Sequence, residues 1–244
     1  MMFRTSAPFV TGFQPQRRCF GHTGGGGFVP TDLGTSVLKC WLPGSFYNPS
    51  TGAGVDQSGN GNDYAQASSG NRPTAGGGLD GKATSAFAAA SSQWISTSNN
   101  FTRSSSQSVW AVVKNTSTAL NETVFDGNSV NTCRMKLIIT TGDAQLGPPF
   151  TTSAAMSSAA WHILWGIWGT GTRIIIDGTV TTVSDTTVSC AGSTLGRPGD
   201  FGGEYFTGEI ADSGVCDGVL SDTDINNVSN YLVGQFPSLT WVNI

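Results

Sequence analysis

Apolar and polar residues alternate along most of this chain in short runs, broken by Gly, Asn, Asp and Pro, which is the pattern of half-buried β-strands. The clearest runs are SVLKCWL (36–42), QWISTS (93–98), SVWAVVK (108–114), CRMKLIIT (133–140) and WHILWGIW (161–168). TRIIIDG (172–178) and TVTTVS (179–184) follow, with further strands expected in STLG (193–196) and GEIADSGVCDG (208–218). Asp177-Gly178 between two such runs predicts a type I′ hairpin, because both central positions need positive φ. Many short strands with this turn chemistry predict an antiparallel sandwich or jelly roll. A helical period occurs in SDTDINNVSNYLVGQF (221–236), where Ile225, Val228 and Leu232 fall on one face. Ser221 is the expected N-cap, with Asp224 three residues on, and Gly234 the expected stop. A short, late helix of this kind closes the sandwich.

Composition sharpens this picture. The chain has 244 residues, enough for one large β domain with a full core. Only 11% of residues are charged, less than half the roughly 25% of an average soluble domain. Ser, Thr, Asn and Gly take their place, while 38% hydrophobic residues and seven Trp exclude a disordered chain. The formal charge of −4 excludes a general nucleic-acid binder, and no run approaches a membrane-spanning length, so neither partner is expected.

Residues 1–30 stand apart. Arg4, Arg17 and Arg18 precede the first acidic residue, Asp32, and Phe3, Phe9, Phe13 and Phe20 are spaced irregularly before GHTGGGGFVP. The four glycines form a joint, dividing an extended arm (1–30) from a domain (31–244). A terminal tail is ordinarily mobile, but each Phe is worth about 2 kcal/mol when buried. These seven side chains are therefore assigned to an assembly anchor. MMFRTSAPFVTGF is broken by Arg4, Pro8 and Gly12 and does not read as a signal peptide.

Metal and cofactor chemistry finds little support. Cys19, Cys40, Cys133, Cys190 and Cys216 form no C-x-x-C pair, and their odd number and wide scatter predict free, buried thiols made in a reducing cytoplasm. DQSGNGND (56–63) starts like a calcium loop, with Asp56, Ser58 and Asn60 alternating before Gly61. The twelfth position, which demands Glu, is Ala67. The same residues suit a tight turn, so the turn is the preferred reading and Asp56 and Asp63 are the metal candidates kept beside it. GHTGGGGF lacks the G-K-[ST] ending of a phosphate loop, and no cofactor is expected.

In order along the chain, DQSGNGND, NRPTAGGGLDGKATSAF, SVWAVVK, WHILWGIWGTGTRIIIDG and FTGEIADSGVCDGVLSDTDINNVSNYL resemble the concanavalin A-like lectin/glucanase superfamily, in its laminin-G-like branch. The resemblance covers roughly residues 35–236 and implies a jelly roll of two packed antiparallel sheets. It also implies that DQSGNGND is a turn beside the first strand, although some relatives bind calcium at a sandwich rim. Glycoside hydrolases of the superfamily carry E-x-D-x-x-E, which sets two carboxylates on one face. The three glutamates here, Glu122, Glu204 and Glu209, do not follow it, and Glu204 and Glu209 are expected on opposite faces of one strand. His162 has no nucleophile in a recognisable context, so no enzyme is expected. The aromatic residues of RPGDFGGEYF, Phe201 and Tyr205, are the candidates for stacking on a glycan, and Trp161, Trp165 and Trp168 read as packing.

Domains of this branch with PTDLG-type openings resemble those of bacteriophage virion proteins. The expected function is therefore a non-enzymatic virion structural protein, a capsid decoration protein made in the host cytoplasm and displayed on the particle exterior. Its partners would be capsid or tail proteins and further copies of itself. The alternatives are a tail or fibre component and a lectin-like module that binds a host-surface glycan.

Overall fold

The computed structural model describes residues 27–117, 121–128, 133–138, 143–147, 151–184, 190–199 and 202–244. The strands in chain order are β1 (Leu38–Pro43), β2 (Tyr47–Asn48), β3 (Ala53–Gly54), β4 (Tyr64–Ala65), β5 (Thr74–Ala75), β6 (Ser85–Phe87), β7 (Ile95–Thr97) and β8 (Gln107–Asn115). They continue as β9 (Glu122–Asp126), β10 (Arg134–Ile138), β11 (Asp143–Gly147), β12 (Thr151–Ala155), β13 (Trp161–Trp168), β14 (Arg173–Ile176), β15 (Thr179–Thr182), β16 (Thr194–Leu195) and β17 (Gly208–Asp217). One α-helix, α1 (Asp222–Gln235), follows.

These strands make two antiparallel sheets. The eight-stranded sheet runs β15-β14-β13-β8-β17-β6-β5, with β1 also against β17. The nine-stranded sheet runs β12-β11-β10-β9-β16-β7-β4-β3-β2. Between them lies a core built from Val109, Val113, Leu164 and Ile210 on one side and Ile95, Phe125, Met135 and Leu195 on the other. This is the expected all-β jelly-roll sandwich.

A second core covers the other face of the eight-stranded sheet. Trp110, Val112, Ile163, Trp165 and Ile175 point outward there and meet Ile225, Val228 and Leu232 of α1, with Phe236 and Leu239 beyond it. Strands β8 and β13 are thus buried on both faces, which is why SVWAVVK and WHILWGIW read as nearly continuous apolar runs. The molecule has three layers: helix, eight-stranded sheet and nine-stranded sheet. Phe28 and Leu33 pack on the helix-side core and Pro30 is buried, so residues 28–30, assigned to the arm from sequence, lie on the sandwich.

Three local expectations change. Cys133 and Cys190 form a disulfide rather than free thiols, since β10 and the segment before β16 bring them together across 57 positions of sequence. Cys40 and Cys216 are free and buried as expected, and Cys19 lies outside the described residues. Ser221 caps α1 by accepting from the Asp224 N–H at 3.1 Å, but Gly234 sits inside the helix. The helix stops at Gln235 because Phe236 precedes Pro237 and is driven out of helical conformation, with φ −130°. Finally, β17 starts at Gly208, so Glu204 shares no strand with Glu209 and stands in the preceding loop at φ +48°. No helix among the described residues is long and apolar enough to cross a membrane.

Candidate functional site: the outer face of the nine-stranded sheet

Strand alternation decides which side chains leave the sandwich. Met135 and Leu137 enter the core, so Arg134 and Lys136 of β10 point the other way. Phe125 pairs with Leu195, and both face inward, which turns Asp126 and Thr194 outward. Ile95 likewise faces inward and leaves Trp94 and Ser96 outside. The outer face therefore carries a row of polar groups running from β7 through β16 and β9 to β10.

At the β10 end this row is ionic. Asp126 is fully buried and accepts from Gly127 N–H at 2.8 Å, Gly199 N–H at 3.2 Å and Arg134 Nε at 3.2 Å. Arg134 Nη1 and Lys136 Nζ each donate to Glu204 at 2.9 Å. Burial pushes the Asp126 carboxyl up to about 6, and the Arg134 charge and backbone N–H groups restrain the rise. Four ionic side chains thus meet on one sheet face in a chain of which only 11% is charged. At the β7 end Arg197 lies 3.5 Å from the ring centroid of Trp94, and both residues are half-buried. The connecting loop approaches the sheet closely: a Cβ at Gly199 would stand 1.6 Å from the Gly127 carbonyl oxygen.

Of the candidate residues read from sequence, Tyr205 is half-buried at the margin of this face, bridged to Thr123 of β9. Phe201 lies outside the described residues, as do Phe3, Arg4, Phe9, Phe13, Arg17, Arg18 and Phe20. Sequence reasoning missed Trp94, Asp126, Arg134, Lys136 and Arg197. The available signal was a strand, CRMKLIIT, whose outward positions are both basic in a chain with few charges.

The other candidates sit elsewhere. Asp56 Oδ1 accepts from Trp41 N–H at 2.9 Å and Ser58 N–H at 2.8 Å, while Oδ2 accepts from Ser58 Oγ at 2.7 Å and Asn62 N–H at 2.9 Å. Asp63 accepts from Asp56 N–H at 2.9 Å. Their carboxylates tie a tight turn to β1. Among the described residues no group of three or more His, Cys, Asp and Glu could hold a metal ion.

His162 does have a serine beside it. Its Nδ1 is 2.6 Å from Asp177 Oδ2, and its Nε2 is 3.0 Å from Ser157 Oγ and 3.1 Å from the Ser157 carbonyl oxygen. Burial opposes the charged ring, but the bond to Asp177 outweighs it and raises the pKa. With acceptors at both nitrogens the ring is held as a donor, which ties two loops together and is poorly arranged to take a proton from Ser157.

The glutamates are dispersed. Glu122 is buried, with burial raising its pKa, and Glu204 belongs to the ionic row. Burial opposes the charge of Glu209, but Lys114, Thr84 and the Gly77 N–H stabilise it and lower its pKa.

No protein-family model matches this chain, and no curated protein is similar to it. Its fold is similar to domain 4 of AbnA, a GH43 extracellular arabinanase from Geobacillus stearothermophilus, solved in complex with arabinotriose. The TM-score is 0.54 at 16% identity, covering 80% of this chain and 98% of that one. It is also similar to Trypanosoma rangeli sialidase in complex with the inhibitor DANA, with TM-score 0.56 and 8% identity over 78% of this chain. This chain spans about a third of the sialidase, covering 32% of it. At such identities the likeness concerns architecture: the chain is a β-sandwich jelly roll.

Proposed function

We propose that this chain is a non-enzymatic, carbohydrate-binding sandwich. The observation that carries the reading is the row of ionic and hydroxyl groups on the side of the nine-stranded sheet away from the sandwich core, where Asp126, Arg134, Lys136 and Thr194 are buried and Trp94, Ser96 and Glu204 are half-exposed. Sugars are recognised by fixed hydrogen-bonding groups beside apolar ring surface, and a row locked by ion pairs loses little entropy on binding. The arabinanase domain, which this chain covers almost end to end, was solved with a bound oligosaccharide and supports the same reading. The dispersed glutamates and the doubly engaged His162 supply no acid–base pair, so the module binds without turnover.

The test is binding of the full chain to a panel of immobilised oligosaccharides, with hydrolysis monitored in parallel. Ser96→Trp places a bulky ring on the outer face without removing any partner of the ionic row. Saturable binding that this variant weakens at least tenfold, with no reducing sugar released, is the expected result. Absence of binding to every glycan, or turnover of one, overturns the proposal.

A second reading concerns where the module is held, and one observation favours it. Phe28 and Leu33 root the N-terminal arm on the helix layer, on the side of the sandwich opposite the polar row. An arm leaving from that side could attach to a capsid or tail protein while the polar face looks outward. On this reading the chain is a virion decoration protein on the particle exterior, with a tail or fibre component as the alternative. Copurification with intact particles at a fixed copy number tests it.

A further inference from the structure

We infer that the sugar this face takes is acidic, with a carboxylate docking on Arg197. The inference rests on the carbohydrate-binding reading and names the ligand's chemistry. Arg134, Lys136 and Arg197 lie here with Asp126 and Glu204. Arg134 engages both Asp126 and Glu204, and Lys136 engages Glu204, so those four charges are mutually committed. Arg197 is left over. Its Nε is buried without a hydrogen-bond partner, and no carboxylate among the described residues pairs with it.

Arg197 is also held in position. Its guanidinium lies over Trp94, 3.5 Å from the ring centroid, and the side chain as a whole is only half-buried. The loop on either side is pinned. Gly196 has φ +88°, and a Cβ there would meet the Phe87 ring at 2.5 Å. Pro198 restricts Arg197 itself to extended backbone, and Gly199 donates to Asp126. A planar cation, partly desolvated and fixed on an indole, matches a carboxylate in two parallel hydrogen bonds. A neutral sugar would leave that cation unpaired. The half-buried Ser96 points outward two positions on from Trp94, opposite Thr194, and offers a hydroxyl to the sugar.

A carboxylate-bearing sugar could be a uronic acid within a polymer or a terminal nonulosonic acid, and matched pairs separate the two. The full chain is titrated with oligogalacturonate and its carboxyl-reduced counterpart, and with sialyllactose and lactose. The expected result is at least tenfold tighter binding of one acidic member than of its neutral counterpart. Arg197→Gln should remove that preference, and Arg197→Lys should restore only part of it, because it keeps the charge and loses the fork. Circular dichroism of both variants should match the parent. Equal binding of neutral and acidic members overturns the inference while leaving the carbohydrate-binding reading standing. Acid-selective binding that survives Arg197→Gln also overturns it. If no member binds, and none of the wider panel does, both fall together.

Discussion

At the scale of single residues, Asp212 is a carboxyl buried deep in the protein. Its carboxylate accepts from Trp110 Nε1 at 2.8 Å and Trp41 Nε1 at 3.1 Å inside the helix-side core. Burial drives its pKa from 3.8 up to about 7, with the two indole donors acting in the opposite sense. A carboxyl whose folded pKa is raised binds its proton more tightly in the native state. It therefore makes stability fall as pH rises from about 4 to about 7, and leaves it level above that. Asp212→Asn keeps an acceptor for the indoles and abolishes the titration. Relative to the parent, this variant should gain stability between pH 4 and pH 8, by an amount on the order of 4 kcal/mol from the size of the shift. Chemical denaturation at each pH measures the difference, and a constant difference across the range would show that Asp212 does not titrate there. In sequence this residue stood only as one position of the run GEIADSGVCDG (208–218). Its partners, Trp41 and Trp110, come from strands far away in the chain.

At the scale of elements, local chemistry set the ends and tertiary contacts set the consequences. The hairpin joining β14 to β15 has Asp177 at φ +52° and Gly178 at φ +90°, as a type I′ turn requires. Its tip then packs on the C-terminal segment, where a Cβ at Gly178 would come within 1.9 Å of the Val242 carbonyl oxygen. Gly178→Ala thus meets both an unfavourable φ and a backbone obstacle, and should cost about 2–3 kcal/mol. Ser221→Ala loses a cap on an exposed helix end and should cost about 1 kcal/mol. Equal losses in thermal unfolding would show that the turn relaxes away from the tail. The Asp-Gly pair made the turn legible, while nothing near it announced the tail against it.

At the scale of the whole molecule, the helix layer and the polar face lie on opposite sides of the sandwich, and the chain enters on the helix side. This gives the arm a testable boundary. Removing residues 1–26 should leave the melting temperature unchanged, because the described residues form a core between the two sheets and a second one under the helix. Removing residues 1–30 also takes Phe28 and Pro30 and should lower it by several degrees, since a loss of about 1–2 kcal/mol is felt at this size. If the anchor assignment of Phe3, Arg4, Phe9, Phe13, Arg17, Arg18 and Phe20 is right, the shorter deletion alone abolishes attachment to particles. Attachment that survives it would assign docking to the sandwich instead.

The sequence alone determined the jelly roll, the long strands at 108–114 and 161–168, the Asp177-Gly178 hairpin and the Ser221 cap. Each depends on neighbours within a few positions, through the period of two, turn conformations or capping hydrogen bonds. Only the tertiary structure decided that β8 and β13 are covered on both faces, since a continuous apolar run does not say what lies on its second side. It also decided the two-residue strands, too short to show a period, and the pairing of Cys133 with Cys190. The candidate site was the least legible part. Trp94, Asp126, Arg134, Lys136, Arg197 and Glu204 come from two strands, the position just before a third and one loop, and they meet because strand register sets which face each one takes.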